Sequence, residues 1–286
     1  MTEPTASTPI GPASDEGCLT FLRRNVRDSK PRHVGITEVR GPYYDTFGAR
    51  YVEDLLDAAG QYVDWLKVPA PAIALLPRRL LERMAATCHE REVKLSAGGL
   101  IELVVTQGAK AVDQYFSALP DVGFDVVEVS AGMISLPTSD FLRLVERAKR
   151  TGLTVKAEVG IQFGAGGTSS VDSLAAEGTG SVSFAVQRGR AALDAGADMV
   201  ILESEGVTES VDSWRTDVVS AFAEAFGLER LMFEAADPRV FEWYVKHYGA
   251  DVNLFVDHSQ VLMLESVRSG LWASHSLWNR VATYKG

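Results

Sequence analysis

From residue 33 onward, short runs of aliphatic and β-branched residues alternate with longer stretches whose apolar positions recur every three to four residues. The short runs are His33–Arg40, Tyr62–Val68, Val93–Ala97, Asp125–Ser130, Thr154–Val159, Met199–Glu203, Arg230–Ala235 and Val252–His258, and they predict eight strands. The stretches Tyr51–Gly60, Pro77–Arg91, Asp113–Leu119, Ser139–Thr151, Val182–Ala195, Trp214–Phe226 and Arg239–Tyr248 predict helices, many of them closed by a glycine such as Gly123, Gly196 or Gly249. Eight β/α alternations with nearly continuous apolar strands predict a single (β/α)8 TIM barrel over 17–286, with a doubly wound open sheet as the competing topology. Residues 1–16, rich in Thr, Pro, Ser, Ala and Gly, predict a mobile N-terminal tail.

Four of the strand runs carry a glutamate near their C-terminal end: Glu128, Glu158, Glu203 and Glu234. In a barrel that end is where chemistry sits. Several carboxylates on one rim repel one another unless a cation joins them, so this ring predicts a site. An oxygen-rich set with neither thiolates nor paired histidines near it in sequence favours Mg²⁺, with Mn²⁺ as the alternative. The competing reading makes some of these glutamates barrel ion pairs with Arg40 or Lys67, and it weakens when applied to all four together.

The other strand ends widen the inventory to Glu38, Arg40, Lys67, Gly98, Gly99, Glu102, Ser130, Gln162, Glu205, Asn253, Asp257, His258 and Ser259. Lys67 is open to three roles there, a Schiff base, a base or an anion clamp, and the clamp is preferred because nothing beside it marks a desolvated amine. Gly98-Gly99 lets backbone amides approach a ligand, although a plain turn explains a glycine pair equally well. His258 is placed as a proton carrier, while adjacent Asp257-His258-Ser259 cannot converge as a triad. Ser259 is read as an anion-binding helix start or a simple cap. Arg40, Ser130, Gln162 and Asn253 complete the expected substrate-binding set. The segment 160–180, with six glycines, is expected to be an unusually long loop that closes over the site.

Composition narrows the partners. A net charge of −10 argues against nucleic acid, yet leaves room for a small anionic substrate held by local cations. Two cysteines, Cys18 and Cys88, make no disulfide framework and suit a reducing cytoplasm. No apolar run reaches the ~18 residues of a membrane span. A homo-oligomer is expected.

The motifs Gly35-Ile36-Thr37, Val63-Asp64-Trp65-Leu66-Lys67, Gly98-Gly99 with Glu102, Gly123-Phe124-Asp125 through Glu128-Val129-Ser130, Glu158-Val159-Gly160, Phe233-Glu234-Ala235 and Val252-Asn253-Leu254 together resemble the phosphosulfolactate synthase family. The resemblance spans roughly residues 33–272. It implies an Mg²⁺-dependent barrel that adds sulfite to phosphoenolpyruvate, and so a lyase or synthase. The chain departs from the family pattern at three places. Arg40-Gly41-Pro42-Tyr43-Tyr44 stands where the family has an aspartate, Ile161-Gln162-Phe163 where it has a lysine, and Glu203-Ser204-Glu205-Gly206 where it has an arginine. The first of these stretches and Asn253–Gln260 resemble instead the branch typified by a plant heat-stress-associated protein. Altered substrate choice is therefore expected, with Arg40 supplying relocated positive charge. A non-catalytic, stress-related barrel acting through protein partners is the alternative.

Overall fold

In the computed structural model the eight strands close into one parallel barrel in sequence order, β1 to β8. They are β1 Thr37–Arg40, β2 Trp65–Val68, β3 Lys94–Ala97, β4 Val126–Val129, β5 Thr154–Val159, β6 Met199–Leu202, β7 Leu231–Ala235 and β8 Asn253–Asp257. The structure describes residues 19–42, 46–166, 169–272 and 281–284. The expected tail over 1–16, Cys18 and the pair Tyr43-Tyr44 lie outside these residues.

Alternation along each strand sorts the side chains into two populations. Val39, Leu66, Leu95, Val127, Val155, Val200, Phe233 and Leu254 face outward and belong to the large core under the helices. Ile36, Trp65, Val126, Met199, Ile201, Met232 and Phe255 form a separate apolar cluster that plugs the lower part of the barrel. The same parity carries Glu38, Lys67, Glu128, Lys156, Glu158 and Glu234 into the barrel above that plug.

Helices cover the outside: α1 Ala49–Ala59, α2 Ala70–Leu75, α3 Arg78–His89, α4 Ile101–Val105, α5 Ala109–Val122, α6 Thr138–Lys149, α7 Val171–Glu177, α8 Val182–Asp194, α9 Thr216–Phe226, α10 Pro238–Tyr248 and α11 Val261–Arg268. Helix α5 outruns its predicted span at both ends. It stops where Gly123 takes φ +105° and the Phe124 amide turns back to the Leu119 carbonyl. Helices α2, α4 and α7 are too short to show a period.

Two strand starts differ from expectation by more than one residue. The run from His33 enters the sheet only at Thr37, because Gly35 turns at φ +66° and Arg27 and Arg268 both bond its carbonyl. Tyr62 belongs to a 3-10 turn, and β2 starts at Trp65. Among the described residues no helix is long and apolar enough to cross a membrane.

Candidate active site

Four interior side chains make a chain of alternating charge across the barrel. Lys156 on β5 bonds Glu38 on β1, and its Nζ lies 3.1 Å from Glu128 Oε2 on β4. The same Glu128 oxygen accepts a 2.8 Å bond from Lys67 on β2. Lys156 and Glu38 are fully buried. The ring of Phe255 lies 4.3 Å below the Lys67 ammonium and 5.3 Å from that of Lys156. Two cations and two anions cancel, which is how the fold tolerates charge there.

The pairing sets protonation. Burial alone would raise the Glu128 carboxyl, but Lys67 and Lys156 hold it at about 2. Burial alone would lower the Lys67 amine, but Glu128, Glu158, Glu234 and Glu38 together raise it above its ordinary value. Lys67 is thus a buried ammonium, suited to clamp an anion and unsuited to attack a carbonyl as a free amine.

Among the described residues, three more carboxylates stand over this layer without an ion-pair partner of their own. Burial, then Glu128 and Glu203, push Glu158 well above the usual carboxylate range. Burial, then Glu234, push Glu203 up as well. Glu234 is raised by burial and by Glu128 and Glu209, partly offset by Lys67, and settles at about 7. The expected glutamate ring therefore separates into Glu128, neutralised by two ammonium groups, and Glu158, Glu203 and Glu234, which repel one another.

Neighbouring loops frame this mouth. At Gly98 a Cβ would sit 3.1 Å from Lys67 Cε, and at Gly99 one would sit 2.6 Å from Ser130 Oγ and 3.7 Å from Glu128 Oε1. The glycine pair thus lets the β3 loop lie directly against the ion pair. Ser130 donates a 2.6 Å bond to Glu102, whose carboxylate also accepts the amides of Gly132 and Met133. On the opposite side Arg40 and Asp257 form a 3.5 Å ion pair across β1 and β8. His258 Nδ1 lies 3.1 Å from the Arg40 carbonyl and 3.3 Å from Asp257 Oδ1, with Tyr51 edge-on at 5.5 Å. Asp257 acts as a cap here: its Oδ1 accepts both the amide and the hydroxyl of Ser259.

Three placements differ from expectation. Asn253 opens β8, so it sits at the opposite end of the barrel. There its side chain accepts the Ile36 amide and donates to the Leu228 and Leu231 carbonyls. Gln162 turns into its own loop and donates to the Leu174 and Gly178 carbonyls. Within 160–180, α7 opens with a Ser170–Ser173 capping box, so the stretch is partly helical. Lys156 has no place in the sequence-based set, although it shares a strand face with Glu158 two residues on.

Glu158, Glu203 and Glu234 suit a divalent cation by charge, since an ion among them would relieve the repulsion that raises them. Among the described residues no group of three or more His, Cys, Asp and Glu side chains is already gathered to hold a metal.

Residues 25–274 match the family described as (2R)-phospho-3-sulfolactate synthase (ComA). The chain belongs to this family. It is 31% identical over 259 residues to Protein HEAT-STRESS-ASSOCIATED 32 of Arabidopsis thaliana, covering 87% of this chain and 91% of the plant protein. It is 27% identical over 252 residues to the phosphosulfolactate synthase of Methanothermobacter thermautotrophicus, covering 86% and 92%. Among solved structures, 3-hexulose-6-phosphate synthase from Salmonella typhimurium superposes with a TM-score of 0.51 at 12% identity, covering 82% of this chain and 98% of that one. At that identity the likeness concerns the fold alone.

Proposed function

We propose that this family member is a lyase or synthase that uses a divalent cation, Mg²⁺ or Mn²⁺, to act on a small carboxylated or phosphorylated enol-type substrate such as phosphoenolpyruvate. The observation that carries the reading is the pairing of one pinned ammonium, Lys67, with three unneutralised carboxylates at the same barrel mouth. Membership of the ComA family and the archaeal relative's name support the reaction type.

Glu158, Glu203 and Glu234 would hold the metal, and Glu128 serves to fix the lysines. The bound cation would supply charge to offset a substrate carboxylate and the enolate that develops from it. Lys67 binds an anionic group of the substrate, held in place by its bond to Glu128. Arg40 offers a second cation at the β1–β8 edge, steadied by Asp257. His258, oriented by Asp257 and the Arg40 carbonyl, carries a proton. The stretch 160–180 excludes water from the mouth, which strengthens each of these ion pairs. Sulfite as the second reactant belongs to the same reading, with weakened use of it.

The test is ligand-induced stabilisation. Saturating Mg²⁺ with phosphoenolpyruvate should raise the melting temperature, because a ligand bound only by the folded state stabilises it by roughly 2.7 kcal/mol at a hundredfold excess over Kd. Absence of any shift across a panel of small phospho- and carboxy-acids would overturn the reading. That outcome would favour the second one, a stress-related barrel acting through protein partners, for which the plant relative's name speaks.

A further inference from the structure

The β4 and β5 loops interlock above the site. The Gly164 amide donates to the Gly132 carbonyl at 2.8 Å, and a Cβ on Gly132 would lie 2.3 Å from the Ala165 carbonyl oxygen and 4.0 Å from Glu158 Oε1. A Cβ on Gly166 would lie 2.8 Å from Met133 Sδ. The β5 loop backbone therefore packs directly on Gly132, which itself lies beside Glu158 at the carboxylate mouth. Glu102 secures the β4 loop from one side, through the amides of Gly132 and Met133.

The other side is held by Glu205, which is 1% exposed. Its Oε2 accepts the Gly166 amide and its Oε1 the Ser169 amide, both at 2.8 Å. Its own amide donates a 2.9 Å bond to Glu203 Oε1. Glu205 stands on a tight turn in which the amides of Val207, Thr208 and Glu209 all return to the Ser204 carbonyl. A second thread comes from Ser210, whose hydroxyl donates to the Ser169 carbonyl at 3.0 Å. Burying a carboxylate beside Glu203 is costly, and anchoring two loop amides would not by itself require a negative charge at that spot. What the position provides is a direct mechanical link, in one residue, between a site carboxylate and the loop over it.

The geometry points to Glu205 as a positioning residue: its carboxylate latches the β5 loop at Gly166 and Ser169 over the mouth, and its backbone couples that latch to Glu203. The inference rests on the metal-assisted reading, because it makes the latched loop the element that retains a cation among the carboxylates. Amide exchange is an opening equilibrium, so loss of the latch is read directly as faster exchange. In Glu205→Gln a single carbonyl oxygen replaces two acceptors and the new NH₂ opposes an amide, so one tether is lost. Glu205→Asp keeps the charge but is too short to span both amides, and should fall between.

The experiment is hydrogen exchange on the full chain, paired with Mn²⁺ binding followed by water-proton relaxation. Exchange at Gly166 and Ser169 should accelerate at least about tenfold in Glu205→Gln, with β4 and β6 unchanged, and Mn²⁺ should leave several-fold faster at a nearly constant association rate. Equal exchange in wild type and variant overturns the latch. Faster exchange with unchanged Mn²⁺ retention overturns its role in positioning. Absence of Mn²⁺ binding to wild type overturns the metal-assisted reading, while exchange still decides the latch. Should Glu205→Gln fail to fold, Ser210→Ala takes its place: acceleration at Gly166 and Ser169 supports the latch, and wild-type rates refute it.

Discussion

Replacing Glu234 with glutamine should make the metal-free protein more stable at neutral pH and flatten the pH dependence of its stability. In the folded chain the Glu234 carboxyl is raised from 4.5 to about 7, by burial and by Glu128 and Glu209 against the pull of Lys67. The folded state therefore holds this proton more tightly than the unfolded state does. Stability linked to the group is intact below about pH 4.5 and is lost as pH rises through about 7. Each pH unit of that interval is worth 1.36 kcal/mol, so the loss approaches about 3 kcal/mol, trimmed toward 2 because the side chain is only partly buried. Glutamine keeps the shape and does not titrate. The two proteins should match near pH 4.5 and separate by about 2–3 kcal/mol in favour of the variant by pH 7.5. The assay is urea unfolding at half-unit pH steps in the presence of a chelator, with the slope m compared to confirm the same transition. Parallel stability curves for the two proteins, or a variant less stable at pH 7.5, would refute the electrostatic account of the carboxylate mouth.

Millimolar Mg²⁺ should raise the wild-type melting temperature at pH 7.5 and do so much less for Glu203→Gln; an equal shift in both would remove Glu203 from the metal set. Lys156→Met should cost about 3–5 kcal/mol in denaturant unfolding, because Glu38 and Glu128 are left buried with the central ammonium gone, and a loss below about 1 kcal/mol would show the charge chain to be incidental. Gly99→Ala should displace Ser130 from Glu102 and cost about 1–3 kcal/mol, and adding Ser130→Ala should cost little more; full additivity in that double-mutant cycle would contradict the contact. Phosphosulfolactate formation from sulfite and phosphoenolpyruvate should be weak, since each charged hydrogen bond lost to an anion typically costs ~1.5–3 kcal/mol; robust turnover measured by phosphorus NMR would refute the reading of the replaced basic positions.

The repeating pattern of strands and helices was legible in the sequence because alternation and amphipathic period are local properties of a chain. The same holds for Glu158, Glu203 and Glu234, which stand at strand ends wherever the strands go. Family motifs likewise reached the barrel without coordinates. Partner choice was not legible. Lys156 meets Glu38 across 118 residues, and Glu205 meets Gly166 across 39, only because closure of the sheet brings β1 opposite β5 and the β5 loop over β6. Asn253 and Gln162 were misplaced for the same reason: a polar side chain near a strand end is assigned by which backbone groups it must satisfy, and register and loop path decide those. Protonation followed as well, since Glu128 and Glu158 are both strand-end glutamates, and the tertiary structure alone puts two ammonium groups beside one and two more carboxylates beside the other.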